Sequence, residues 1–193
     1  YYTDQNASTT QIPCPAGTYN PQTSGNSSSS CLDTAPGTYS SVLGASFQTP
    51  CSPGSYQHST GQLSCIDVDP GFYGDSFGLT YQIECQPGEY QPLQGQVNCL
   101  DADPGYYVDS AMATSQIPCP VGTYNPSSAS FDESSCLESD VGHFVSSPAS
   151  PNQSPCIAGT FQNQTGQTSC VGADPGYHVP LGASRRRRRR PPP

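Results

Sequence analysis

The stretch QIPCPAGTYNP runs from Gln11 to Pro21, and QIPCPVGTYNP runs from Gln116 to Pro126, 105 residues later, with ten of the eleven residues unchanged. A catalytic motif needs writing once. A stretch written twice in 193 residues points to internal repetition, which decides the fold before any other feature is weighed. The cysteines that open CPAG, CSPG, CQPG, CPVG and CIAG are Cys14, Cys51, Cys85, Cys119 and Cys156, spaced by 37, 34, 34 and 37 residues. A second set, Cys31, Cys65, Cys99, Cys136 and Cys170, follows the first by 17 or 14 residues. Five units are therefore expected, and the 105-residue echo is one 37-residue step and two 34-residue steps.

Each unit divides again. An aromatic follows a glycine by two positions at Tyr19, Tyr39, Tyr56, Tyr73, Tyr90, Tyr107, Tyr124, Phe144 and Phe161, in steps of 17 residues, or 20 where three residues enter. One half-repeat opens with Cys, as in CSPGSY; the other opens with an acidic turn, as in DVDPGFY (Asp67 to Tyr73) and DADPGYY (Asp101 to Tyr107). The expected repeats are residues 1–37, 38–71, 72–105, 106–142 and 143–176, then the start of a truncated sixth at 177–184 and a non-repeat tail at 185–193. Tyr1 matches Tyr106 in the echo, so both ends read as cuts through a longer array.

Composition supports many small pieces over one large core. Nineteen Gly and 21 Pro leave little room for long helices, and hydrophobic residues make up only 33% of the chain. Ten Cys is an even number, and an even number in a chain short of core reads as a disulfide framework formed in an oxidising compartment. A zinc site is the weaker reading, because no CxxC is present and the three His are isolated. The six basic residues are all at Arg185 to Arg190, while the first 184 residues hold the fifteen Asp and Glu. That body therefore has no Lys or Arg to pair its carboxylates, and a nucleic-acid surface is excluded on it. No apolar run approaches the roughly 20 residues that span a bilayer. Nothing at Tyr1 has the form of a signal peptide, and the cysteines still argue for export, so a mature chain or a fragment is expected.

The tandem pattern resembles the ephrin-receptor-like and tumour-necrosis-factor-receptor-like cysteine-rich repeats, whose signature runs roughly C-x-P-G-T-Y, a glycine-containing loop, then C-x-x-C-P-x-G. The resemblance covers nearly all of residues 1–178. Half of the cysteines it implies are absent. Their places hold Thr34, Val68, Ala102, Ser139 and Ala173 on one side and Gln11, Gln48, Gln82, Gln116 and Gln153 on the other. Thr34 to Gln48, Val68 to Gln82, Ala102 to Gln116 and Ser139 to Gln153 are each 14 residues apart, the same span as Cys51 to Cys65. Cysteines missing as pairs imply that the survivors also pair within a half-repeat: Cys14–Cys31, Cys51–Cys65, Cys85–Cys99, Cys119–Cys136 and Cys156–Cys170. Each such bridge closes a loop worth about 3 kcal/mol in the chain-entropy model. The fold class that follows is a small disulfide-rich repeat array, an elongated rod of short β-strands and turns with little or no helix, its Gly-x-aromatic rings stacked along the array.

The remaining features each have two readings. Four N-x-S/T sequons, Asn6, Asn26, Asn152 and Asn163, are candidate glycosylation sites, whereas Asn20 and Asn125 precede Pro and are excluded as acceptors. Asp67, Asp69 and Asp75, with Asp101, Asp103 and Asp109, offer oxygens suited to calcium; the preferred reading is turn initiation by Asp with Pro presetting φ, and no metal site. His58, His143 and His178 occupy non-equivalent positions with no acid or nucleophile grouped around them, so no catalytic residue is assigned and an enzyme is not expected. RRRRRRPPP either binds nucleic acid or an acidic surface or is extraneous to the array; the last is preferred, because the repeat would place Gln near 187 and Cys near 190.

The expected protein is thus an exported, glycosylated structural array without cofactors, extracellular or at the cell surface. Its expected partners are copies of itself in a filament, fibre or coat, with no nucleic acid and no membrane span in this chain. The rival reading is a receptor or adhesion ectodomain binding a protein or sugar ligand.

Overall fold

A computed structural model describes residues 1–3, 10–22 and 25–188. The chain divides into two compact units, residues 1–85 with 91–99, and residues 86–90 with 100–193. The first unit holds four antiparallel pairs of two-residue strands: β1 (Thr18–Tyr19) with β2 (Leu32–Asp33), β3 (Thr38–Tyr39) with β4 (Thr49–Pro50), β5 (Ser55–Tyr56) with β6 (Ile66–Asp67), and β7 (Phe72–Tyr73) with β8 (Ile83–Glu84). In the second unit β9 (Glu89–Tyr90) pairs with β10 (Leu100–Asp101), β11 (Tyr106–Tyr107) with β12 (Ile117–Pro118), and β13 (Thr123–Tyr124) with β14 (Leu137–Glu138). It continues with β15 (His143–Phe144) and β16 (Ser154–Pro155), β17 (Thr160–Phe161) and β18 (Val171–Gly172), and β19 (Tyr177–His178) and β20 (Arg187–Arg188). The fold is a disulfide-rich array of short hairpins, with no α-helix among the described residues. Single 3-10 turns at Ser28–Ser30 and Glu133–Ser135 fall in the two loops that carry the three extra residues.

Each hairpin opens on one turn. The N–H after the turn glycine donates back three residues, as in Thr38 to Ala35 and Phe72 to Asp69, at 3.1 Å in both. The glycines sit at φ between 80° and 94°, where a Cβ is strongly disfavoured, and Pro often precedes them. A second demand falls on the same position. A Cβ on Gly37 would collide with the Gly78 carbonyl oxygen, in a loop two hairpins further on.

The turn glycine also ties each hairpin to the next. In the first unit the N–H groups of Gly17, Gly37, Gly54 and Gly71 donate to the carbonyls of Ser40, Gln57, Gly74 and Gln91. In the second, Gly88, Gly105, Gly122, Gly142 and Gly159 donate to Val108, Asn125, Val145, Gln162 and Val179. All nine bonds lie between 2.6 and 3.0 Å. Return bonds run from the loops, as from Gly61 N–H to the Thr34 carbonyl and from Gly166 N–H to Ser139. Strands of two residues cannot satisfy their own backbone, so these bonds between hairpins do it.

Two positions recur in the interior, one on each side of the turn. Three residues before the turn glycine stand Cys14, Thr34, Cys51, Val68, Cys85, Ala102, Cys119, Ser139 and Cys156, all without solvent exposure. The Thr34 and Ser139 hydroxyls accept the N–H groups of Gln62 and Gln167 at 3.0 Å. Three residues after the glycine the residue is again buried, and in the cysteine-free hairpins it is Ser40, Gly74, Val108, Val145 or Val179. The largest hydrophobic side chain wholly inside is a valine.

The aromatics pair across their own hairpins and not ring on ring. Tyr19, Tyr56, Tyr73, Tyr90, Tyr107 and Tyr124 are half-buried, and each faces Leu or Ile across its own hairpin, as in Tyr56 opposite Ile66. Among the described residues the ring pair in contact range is Tyr56 with His58, their centroids 6.2 Å apart. Pairing within a hairpin supplies an aliphatic neighbour and leaves the rings no need of one another.

Two substitutions test this account. Ser40 is 3% exposed and its hydroxyl has no partner, where three of the four equivalent hairpins carry Val. Ser40→Val is expected to raise stability by about 1 kcal/mol, read from the urea midpoint. Met112 lies at φ 57° at a loop position that other hairpins give to Gly44, Gly61, Gly78, Gly95, Gly166 and Gly182. Relief of a left-handed strain of about 1–2 kcal/mol exceeds glycine's added chain entropy of about 0.5–1 kcal/mol. Met112→Gly therefore raises the same midpoint by about 0.5 kcal/mol, and a fall would refute the strain.

Candidate functional site

The chemistry-bearing residues serve two kinds of staple. Disulfides join Cys14 to Cys31, Cys51 to Cys65, Cys85 to Cys99, Cys119 to Cys136 and Cys156 to Cys170, with Cα separations of 5.5 to 5.8 Å. No free cysteine remains. Five such bridges are the mark of an oxidising compartment. The cysteine-free hairpins use glutamine at the place of the second cysteine. The Gln48 side-chain oxygen accepts the Ala35 N–H at 2.8 Å and the Thr38 hydroxyl at 2.9 Å. Gln82 accepts the Asp69 N–H at 2.8 Å and its amide donates to the Asp69 carboxylate at 3.2 Å. Gln116 with Asp103, and Gln153 with Asp140, repeat the two-bond clasp at 2.6 to 2.8 Å. These glutamines are legible in the sequence as vacated cysteine positions; their bonding role is not.

A second amide set escaped the sequence reading. Asn20, Gln57, Gln91, Asn125 and Gln162 stand three residues after the turn glycine of every cysteine-bearing half-repeat, all buried. Gln57 donates to the Ser64 carbonyl at 2.9 Å and accepts the Ser59 N–H at 3.1 Å, which closes its loop from inside; Gln91 and Gln162 do the same. Asn125 accepts from Ser127 N–H at 3.0 Å and donates to the Tyr106 carbonyl at 2.8 Å. Alignment of the half-repeats on their glycines shows an amide at this position each time, and that was the available signal.

The acidic turns are engaged locally. The Asp69 and Asp103 carboxylates hold the glutamine amides, and the Asp75 carboxylate takes the Ser76 hydroxyl at 2.6 Å. Asp67 and Asp101 are exposed on strands opposite Ser55 and Glu89, and Asp109 is exposed in a loop. Among the described residues no three His, Cys, Asp or Glu gather as a metal site. His58 and His178 are exposed and His143 is half-buried, each in a different hairpin.

The sequons at Asn26, Asn152 and Asn163 are exposed in loops, while Asn6 lies outside the described residues. In the tenth hairpin Arg186 stands where glutamine stands in the other cysteine-free hairpins. It forms an ion pair with Asp174, and its guanidinium lies 4.9 Å from the centre of the Tyr177 ring. The return loop is one residue shorter there, so Arg187 rather than Arg188 faces His178. No helix of the described residues is long and apolar enough to cross a membrane. No protein-family model matches the chain, and no curated protein matches it.

If glutamine occupies a disulfide position, the bridge can be restored. The pair V68C/Q82C is expected to form a sixth disulfide, seen as the absence of free thiol in intact mass under non-reducing conditions. Gln82→Ala alone leaves the Asp69 N–H without its acceptor and lowers stability by about 1–2 kcal/mol. Two free thiols in V68C/Q82C would show that the half-repeats are not equivalent.

Proposed function

We propose that this chain is a structural protein of the extracellular space, a glycosylated subunit of a filament, fibre or surface coat. The observation that carries the reading is the recurrence of one set of backbone bonds from hairpin to hairpin within each unit. A head-to-tail contact runs on as an open filament where its rotation does not close a ring, and repetition of it between copies would then build a fibre. The modules are alike in their buried positions and their turns, which suits structural repetition better than a ligand-binding array with specialised modules.

Surface chemistry supports association with like copies through neutral surface. The first 184 residues carry no Lys or Arg, so two bodies cannot attract through opposite charges. Val42, Leu43, Phe47, Phe77 and Tyr81, all on loops of the first unit, are each at least 60% exposed. Such side chains would supply uncharged contact area to a like copy. Glycans on Asn26, Asn152 or Asn163 would keep the remaining loops hydrated.

Electron microscopy of the purified secreted protein tests the reading. Extended polymers are expected, built from subunits heavier than the bare 20.3 kDa polypeptide. They should survive molar sodium chloride, which screens charge and leaves apolar contacts intact. A stable monomer that binds one soluble protein ligand would replace this reading with the receptor ectodomain.

A further inference from the structure

The hairpin of β13 and β14 carries a cleft that the structural role does not use. Its return loop is one of the two lengthened by three residues, and a 3-10 turn at Glu133–Ser135 folds the extra length back. The result is an open hollow of about 340 Å³, walled by Pro126, Ser127, Ser128, Phe131, Ser135 and Leu137. That volume lies at the lower end of small-ligand sites, which run from about 300 to 1,000 Å³.

Its chemistry is specific. Phe131 is 61% exposed and stacks on no other ring among the described residues, so its aromatic surface is open at the rim. Among the described residues the hydroxyls of Ser127, Ser128 and Ser135 have no hydrogen-bond partner; only the backbone of Ser127 and Ser135 is engaged. The floor is rigid: Asn125 is 1% exposed, its amide donates at 2.8 Å to Ser130 Oγ and to the Tyr106 carbonyl, and its oxygen takes the Ser127 N–H. Ala129 is held at φ 52°, a left-handed conformation that equivalent loops assign to Gly61, Gly95 and Gly166. Asp132 and Glu133 follow Phe131, and no cation lies near in the sequence, so an anionic ligand is disfavoured.

We propose that this cleft binds a neutral saccharide, with the C–H face of one pyranose ring on Phe131 and its hydroxyls on the serines. An aromatic platform beside uncommitted hydroxyls, without a positive charge, matches an uncharged polyol whose one face is apolar. The other lengthened hairpin, β1 and β2, is a natural contrast. Its hollow is smaller, about 210 Å³, and includes Pro21, Gln22, Ser29, Ser30 and Leu32 in its wall. At the position of Phe131 it carries Asn26, a sequon asparagine, so no platform exists there.

Saturation-transfer difference NMR tests the proposal and works equally on monomer or polymer. The probes are cellotriose, chitotriose and mannotriose, applied to the purified glycoprotein and to the same protein after enzymatic deglycosylation. At least one probe is expected to receive saturation, strongest on the ring C–H protons of one sugar residue, and to saturate with concentration. Phe131→Ser should weaken that binding at least tenfold, and Phe131→Tyr should keep it within threefold. Phe131 is exposed, so both variants should retain all five disulfides, checked by non-reducing mass. No saturable transfer to any probe in either form would overturn the proposal. So would a Phe131→Ser variant that binds as the parent does, or tighter binding of an anionic trisaccharide. The result does not depend on whether the chain polymerises.

Discussion

The structure depends on the satisfaction of backbone hydrogen bonds in a chain that has almost no core. Strands of two residues leave most of their N–H and C=O groups unpaired, and unpaired buried groups are costly. The turn glycine meets this constraint three times over. Its positive φ reverses the chain, its N–H reaches the next hairpin, and its missing Cβ admits a loop carbonyl from the hairpin beyond. Gly37 does all three, through its turn, its bond to Gln57 and its contact with Gly78. Replacement by any residue with a side chain would strain the turn and push the neighbouring loop away together.

Around that ladder the two staples divide the work. Disulfides restrict the unfolded chain and are worth about 3 kcal/mol each for loops of this size. Glutamine clasps act on the folded state, joining a side chain to the first backbone N–H of the turn. The glutamine adds no charge and its amide engages the turn's own carboxylate in three of the four, which suits a body without Lys or Arg. The single ion pair among the described residues, Arg186 with Asp174, uses the same two places at the point where the basic run begins. Arginine there satisfies the carboxylate that glutamine satisfies elsewhere.

Differences between hairpins are concentrated in the loops, where they cost the ladder nothing. Exposed aromatics occupy the cysteine-free loops of the first unit at Phe47, Phe77 and Tyr81, whereas the corresponding positions of the second unit carry no aromatic and only one large apolar residue, Leu181. The three-residue insertions create hollows at Pro21 to Leu32 and at Pro126 to Leu137. Such a scaffold allows one surface to associate and another to bind without change to the hairpins beneath.

Much of this was legible in one dimension, because repetition exposes equivalence. The spacing of Cys and Gly gave the number of units, the half-repeats and the turn positions, since a tight turn with positive φ is a local property of two or three residues. The substitution of Gln48, Gln82, Gln116 and Gln153 for cysteine was visible as well. What those glutamines hold was not, because a bond across 13 residues to the N–H of Ala35 or Asp69 exists only once the hairpin has closed. The same holds for the buried amides at Asn20 and Gln57, which look like ordinary polar loop residues until burial leaves the backbone as their partner. Local turns and covalent spacing belong to the sequence; which side each ring faces, which amide is buried and where a hollow opens were decided by the packing of one hairpin against the next.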